Sequence, residues 1–306
     1  MANQAVVEVH RIGKTFQSVQ AVDRVSFSVE AGEILGFLGP NGAGKTTTIR
    51  MILDIFRPDA GTIRSSLGES DARVPKERTG YLPEERGLYP DARVLDLLVY
   101  FGELKGMKRI DARTRAQEWL ERFELLEWMS KKVEKLSKGM QQKGHFIAAV
   151  LHRPAFVVQR EPFAGLDPVN QDLLKRIILE MREAGAAILL SSHQMNRVEE
   201  LCDRIFLIHH GRRVLYGRLD EIREARGEHT VSLRFEGDGS ILAQTPGATG
   251  LVLEKGRASF TLSPEITPDA FVRGLPEGLR ILALRVDFPP LHEIFVRTIG
   301  EDDEAG

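Results

Sequence analysis

A chain of 306 residues, 42% hydrophobic and 28% charged, has the composition of a globular protein with room for one full domain and a smaller one, which excludes a disordered or fibrous class. Its 42 lysines and arginines nearly balance 44 aspartates and glutamates, so no global field draws it to nucleic acid or to an anionic membrane. The apolar runs fall far short of the roughly 20 residues of a spanning helix, and the opening Met-Ala-Asn-Gln-Ala lacks the basic-then-apolar pattern of a secretory signal. The expectation is a cytoplasmic chain whose link to any membrane is a partner. The single Cys202 has no second cysteine to bond and no metal partners at ligand spacing, so it is read as structural.

In chain order, Val6, Val9 and Ile12, then Val25, Phe27 and Val29, recur as half-buried strands do and predict an antiparallel β edge. Residues 34–38 differ: Ile-Leu-Gly-Phe-Leu is a continuous apolar run bounded by glycine, which suits a strand covered on both faces. Similar runs at 156–158 and 187–190 adjoin helical patterns, so a parallel sheet with crossover helices is expected. Between them, residues 94–151 are helical in pattern, and Ala116, Trp119, Leu120, Phe123 and Leu126 form one expected buried stripe. A hairpin is predicted at His209-His210-Gly211-Arg212, followed by a charged stretch from 220 to 229 that marks a domain boundary. Short strands at 231–235, 251–253 and 281–286 then imply a small α+β domain without recognisable chemistry.

Chemistry enters directly after the buried run at 34–38. Gly39, Pro40, Asn41, Gly42, Ala43, Gly44, Lys45, Thr46 and Thr47 fit G-x-x-x-x-G-K-[ST] between a strand and a helix. Glycines let successive backbone N–H groups curl toward phosphate oxygens, and the helix beginning near Lys45 adds its positive dipole end. Lys45 is the mobile cation for the β- and γ-phosphates of ATP, and the Thr46 hydroxyl is positioned to ligate Mg2+.

Downstream, Leu136-Ser137-Lys138-Gly139-Met140-Gln141-Gln142-Lys143, Glu161-Pro162-Phe163-Ala164-Gly165-Leu166-Asp167-Pro168 and Ser191-Ser192-His193 follow in order. With the phosphate loop, these resemble the signature stretch, the catalytic glutamate with its D-loop, and the switch histidine of the ABC transporter ATPases. Gly80-Tyr81-Leu82-Pro83-Glu84-Glu85-Arg86-Gly87-Leu88-Tyr89 resembles that family's Q-loop region in the form found in its sodium-efflux branch, which also carries an LSKG signature and a small C-terminal domain. The resemblance implies a P-loop NTPase of ABC type, an α/β fold with an antiparallel β edge and a helical subdomain at about 90–150, over residues 6–222, plus an α+β accessory domain at 228–300. It implies a homodimer or heterodimer of ATPase subunits, in which Ser137 and Gly139 of one subunit touch the γ-phosphate held by the partner's Lys45. It further implies that Glu161 polarises the attacking water, that His193 holds water and glutamate in register, that Phe16 stacks on adenine, and that Asp167 belongs to the nucleotide site.

One departure bears on turnover. Where the resemblance places the aspartate that holds Mg2+, this chain has Arg160, preceded by Gln159 in what should be an apolar strand. A guanidinium has only donors and does not deprotonate, so it cannot ligate a metal. Two arrangements stay open: Arg160 reaches the phosphates itself, or Glu84 faces the metal as a catalytic and metal-holding carboxylate while Arg160 turns to another acid. The functional expectation is the ATP-binding subunit of an exporter, hydrolysing ATP beside a separate transmembrane permease at the inner face of the cell membrane. The alternative is a regulatory ATP-binding subunit with weak or no hydrolysis.

Overall fold

A computed structural model describes residues 4–68, 73–84, 87–226, 228–275 and 278–305. The chain divides into two compact units, Met1–Tyr216 and Gly217–Gly306. The first contains β1 (Ala5–Phe16), β2 (Val19–Glu30), β3 (Ile34–Leu38), α1 (Lys45–Ile52), β4 (Ala60–Ser65), β5 (Thr79–Leu82), α2 (Val94–Leu104), α3 (Arg109–Arg122), α4 (Lys138–Val150), β6 (Phe156–Arg160), α5 (Pro168–Glu183), β7 (Ala187–Ser191), α6 (Met195–Leu201) and β8 (Arg204–His209). The next strand, β9 (Arg212–Arg218), starts in this unit.

β1 pairs antiparallel with β2 and β4, which makes the expected antiparallel edge. The main sheet runs β5-β6-β7-β3-β8-β9, with parallel pairing from β5 through β8. β3 and β7 lie between parallel neighbours and are buried at every position, which is why residues 34–38 and 187–190 read as apolar runs. The two layers meet on Phe27, Phe37 and Phe206, whose ring centroids lie 4.8–5.4 Å apart. Phe37 is wholly buried, a contribution of about 1.5–3 kcal/mol from its side chain. Cys202 is also buried, with its Sγ against Gly36, where an added Cβ would stand 3.0 Å from the sulfur; burial pushes its thiol far up, as befits an inert packing group.

The segment expected to be helical carries α2, α3 and α4. Ala116, Leu120 and Phe123 are buried and Trp119 half-buried, but Leu126 does not continue the stripe. The helix stops at Arg122, Glu124 takes a left-handed φ of 57°, and Leu125 turns inward in place of Leu126, which is exposed. Once the helix ends, its 3.6-residue period no longer dictates the next buried position.

The second unit comprises α7 (Leu219–Arg226), β10 (His229–Glu236), β11 (Ala248–Glu254), β12 (Arg257–Leu262), α8 (Pro268–Arg273), β13 (Arg280–Asp287) and α9 (Leu291–Ala305). Its antiparallel sheet runs β11-β12-β10-β13 over a core that includes Val231, Leu233, Phe260 and Phe271. β12 was not among the expected strands, although Ala258, Phe260 and Leu262 alternate as a half-buried strand requires. None of the described helices is long and apolar enough to cross a membrane.

Candidate functional site

Parallel strands bring their carboxyl ends to one rim, and the chain's chemistry collects there. β3 ends in the glycine loop, β6 ends at Arg160 with Glu161 next, and β7 runs into Ser192 and His193. A cavity of about 240 Å3 at this rim is lined by Asn41, Lys45, Thr46, Glu84, Arg160, Glu161 and His193, among others.

The loop needs its glycines for two different reasons. At Gly39, φ is +153° and an added Cβ would fall 2.3 Å from the Ile208 carbonyl oxygen; at Gly42, the surroundings are open, but φ is +81°. The first glycine permits close packing and the second the left-handed turn that faces N–H groups outward. Gly44, at φ +107°, starts α1, so Lys45 and Thr46 open the helix beside the cavity. The Lys45 ammonium donates to the carbonyls of Gly39 at 2.6 Å and Pro40 at 2.7 Å, folding back over the loop. Burial holds Lys45 below the usual lysine range, the positive Arg160 adds to this, and Glu161 and Glu84 oppose it.

Glu161 takes a left-handed φ of 46° directly after β6, which turns its side chain across the end of β7. Its Oε2 accepts from the Ser192 hydroxyl at 3.1 Å and its Oε1 from the His193 backbone N–H at 2.8 Å. Ser192 was not singled out in the sequence; a hydroxyl just past an apolar strand, next to the histidine, was the available signal. His193 Nε2 lies 3.8 Å from the same carboxylate.

Arg160 lies mostly covered beside them. Its Nη2 donates to the Thr46 hydroxyl at 2.8 Å and to Glu84 Oε2 at 2.7 Å. The acid to which Arg160 turns is thus Glu84 itself, so a free Glu84 facing a metal is not the arrangement found. Thr46 and Glu84 are the expected metal-facing oxygens, and both are spanned by one cationic nitrogen. Mg2+ does not fit this donor set as arranged: its ligands are engaged and a positive charge sits between them. Gln159, wholly buried just before Arg160, has neither amide atom hydrogen-bonded.

The remaining expected residues lie apart from the cavity lining. Ser137 is exposed and caps α4 by accepting from the Met140 N–H at 3.2 Å. Gly139 packs near Gly165, where an added Cβ would approach the carbonyl oxygen to 3.2 Å. Gln142, one turn on, donates to the Pro162 carbonyl at 3.1 Å, tying this helix to the turn that carries Glu161. Asp167 caps α5 through the Asn170 N–H at 3.1 Å, and its contact with the Asn170 side chain is the main reason its carboxyl lies below the usual range. Phe16 is 45% exposed at the tip of β1, edge-on to Phe56.

This loop and the carboxylate held at the strand ends lie within a chain that is similar to known proteins along most of its length. The ABC transporter family profile matches residues 22–164. The uncharacterized ABC transporter ATP-binding protein YhaQ of Bacillus subtilis is 39% identical over 96% of this chain and 99% of its own length. The chain belongs to the ATP-binding subunits of ABC transporters. Another relative of this subunit, the Nod factor export ATP-binding protein I of Burkholderia orbicola, is 38% identical over 97% of this chain and 98% of that one. A solved structure described as the ATP binding subunit of an ABC transporter superposes with a TM-score of 0.68 at 31% identity, covering 72% of this chain and 93% of that one. Residues 217–299 match the C-terminal domain of the DrrA1-3-like ATP-binding proteins. The subunit is thus an ABC cassette of α/β fold followed by a small α+β domain of that type.

Proposed function

We propose that this ABC ATP-binding subunit takes ATP at the 39–47 loop, closes on it as a dimer, and hydrolyses it to drive export through a separate transmembrane subunit. In this reading the subunit sits at the inner face of the cell membrane only through that partner. The observation that carries the reading is the Glu161 carboxylate, held by Ser192 and by the His193 N–H beside Lys45 and Thr46. A carboxylate held on both oxygens next to a phosphate loop is suited to orienting a water for in-line attack. The exposure of Ser137 and its distance from the lining of its own chain's cavity support its use by a second subunit. The name of the Burkholderia orbicola relative supports export as the direction. Phe16, exposed near the sheet edge, suits adenine, and Asp167 suits the facing loop of the dimer.

Arg160 favours a second reading, a regulatory subunit that binds ATP and turns it over slowly. The Mg2+ that the resemblance implies does not fit beside the guanidinium, and no step of the proposal runs through it. Phosphate release by the purified full chain, compared with Arg160→Asp, separates the two. Turnover equal to that of the aspartate variant sinks the regulatory reading, turnover seen only in the variant sinks the hydrolytic one, and a folded chain that binds no ATP sinks both.

A further inference from the structure

The Nη2 of Arg160 occupies the point between the Thr46 hydroxyl and the Glu84 carboxylate, the two oxygens at which a divalent ion was expected. The side chain is only 14% exposed, so it is confined there, whereas Glu84 is 52% exposed, with room on its solvent side. Nη2 makes both contacts, and Nε and Nη1 have no partner among the described residues, which leaves donors of a planar fork at the cavity wall.

Charge points the same way. An aspartate with a magnesium ion beside it carries one net positive charge, and a guanidinium carries the same charge without the ion. Beside the loop, Lys45 and Arg160 are balanced by Glu84 and Glu161, so an entering triphosphate finds two cations and a fork geometry that suits phosphate oxygens. A divalent ion entering with it meets the guanidinium at close range and must displace it from both oxygens.

Resting on the ATP-binding reading above, we propose that Arg160 is a built-in replacement for Mg2+: the subunit binds metal-free ATP, and the guanidinium exchanges Glu84 for a phosphate oxygen as the nucleotide enters. ATP binding, not only turnover, is therefore independent of the metal or weakened by it, unlike at a site with a metal-holding aspartate.

Equilibrium binding of ATP to the full chain, in excess Mg2+ and in EDTA, tests this. Removing the metal is expected to leave affinity within about threefold or to improve it, while Arg160→Asp is expected to lose about tenfold or more in EDTA and recover with Mg2+, as loss of a charge-assisted contact predicts. Circular dichroism checks that the variant folds; where it does not, Glu84→Gln serves instead, and freeing the guanidinium is expected to tighten metal-free binding. Wild-type binding that requires Mg2+, or weaker metal-free binding by Glu84→Gln, overturns the inference and leaves ATP binding intact. A folded wild-type chain that binds in neither condition overturns the inference and the function it rests on.

Discussion

Oε1 of Glu161 accepts the His193 backbone N–H at 2.8 Å, while the His193 ring nitrogen Nε2 stands 3.8 Å from the same oxygen. The backbone contact holds the carboxylate, and the ring, with its side chain 53% exposed, is left able to move toward a phosphate. Glu161→Gln preserves the shape and one acceptor oxygen but removes the base. Steady-state phosphate release is expected to fall about a hundredfold or more, with ATP affinity little changed. A variant that releases phosphate at the wild-type rate rules Glu161 out as the water-activating group.

Lys45 bonds to the carbonyls of Gly39 and Pro40, so it both shapes the loop and supplies its mobile charge. Lys45→Ala is expected to weaken ATP binding by about tenfold to a hundredfold, the value of one charged hydrogen-bonding group. Titration with a fluorescent ATP analogue measures it.

The Gln159 amide is wholly buried with no partner for its nitrogen or oxygen, in register with Leu82 on one side and Leu190 on the other. An unpaired buried amide costs about 1–3 kcal/mol. Gln159→Leu is therefore expected to raise stability by about that much, read as a higher urea midpoint at unchanged slope. A lower midpoint shows that the amide has a use that packing does not reveal.

His152 donates through Nε2 to the Thr79 carbonyl at 3.2 Å, and its buried Nδ1 is unpaired among the described residues. Burial, with the charges of Lys105 and Arg115, takes it down to about 4 from the ordinary histidine value of 6.5, against the opposing contact with Thr79. The unfolded chain therefore binds a proton first as pH falls. This group's contribution to stability is full above about pH 6.5 and declines from there to about pH 4, where the folded form is protonated as well. Urea midpoints at neutral pH and near pH 5 should differ less in His152→Gln than in wild type.

Much of this site was readable before any fold was known, because its parts are contiguous. Residues 39–47 carry loop, glycines, lysine and hydroxyl in one run, and a short-range motif needs only a strand before it and a helix after it. Buried parallel strands are legible for the same kind of reason: Ile34–Leu38 and residues 187–190 carry no polar side chain because both faces are covered. Leu126 and β12 escaped because helix termination and antiparallel partners are set by neighbours rather than by local period.

By itself, the sequence carried a phosphate-loop pattern, placed Glu161 and His193 in stretches that resemble those of one family, and put an arginine where that resemblance expects a metal-holding acid. Only the tertiary structure decided what that arginine does. Thr46, Glu84 and Arg160 lie on separate segments, 38, 76 and 114 positions apart in their three pairings. Their meeting depends on strand order, which brings the ends of β5 and β6 to the same rim of the sheet as the loop after β3. Electrostatics then selects the partner. A covered guanidinium must find acceptors, and the nearest are the hydroxyl and carboxylate that a metal ion would otherwise claim.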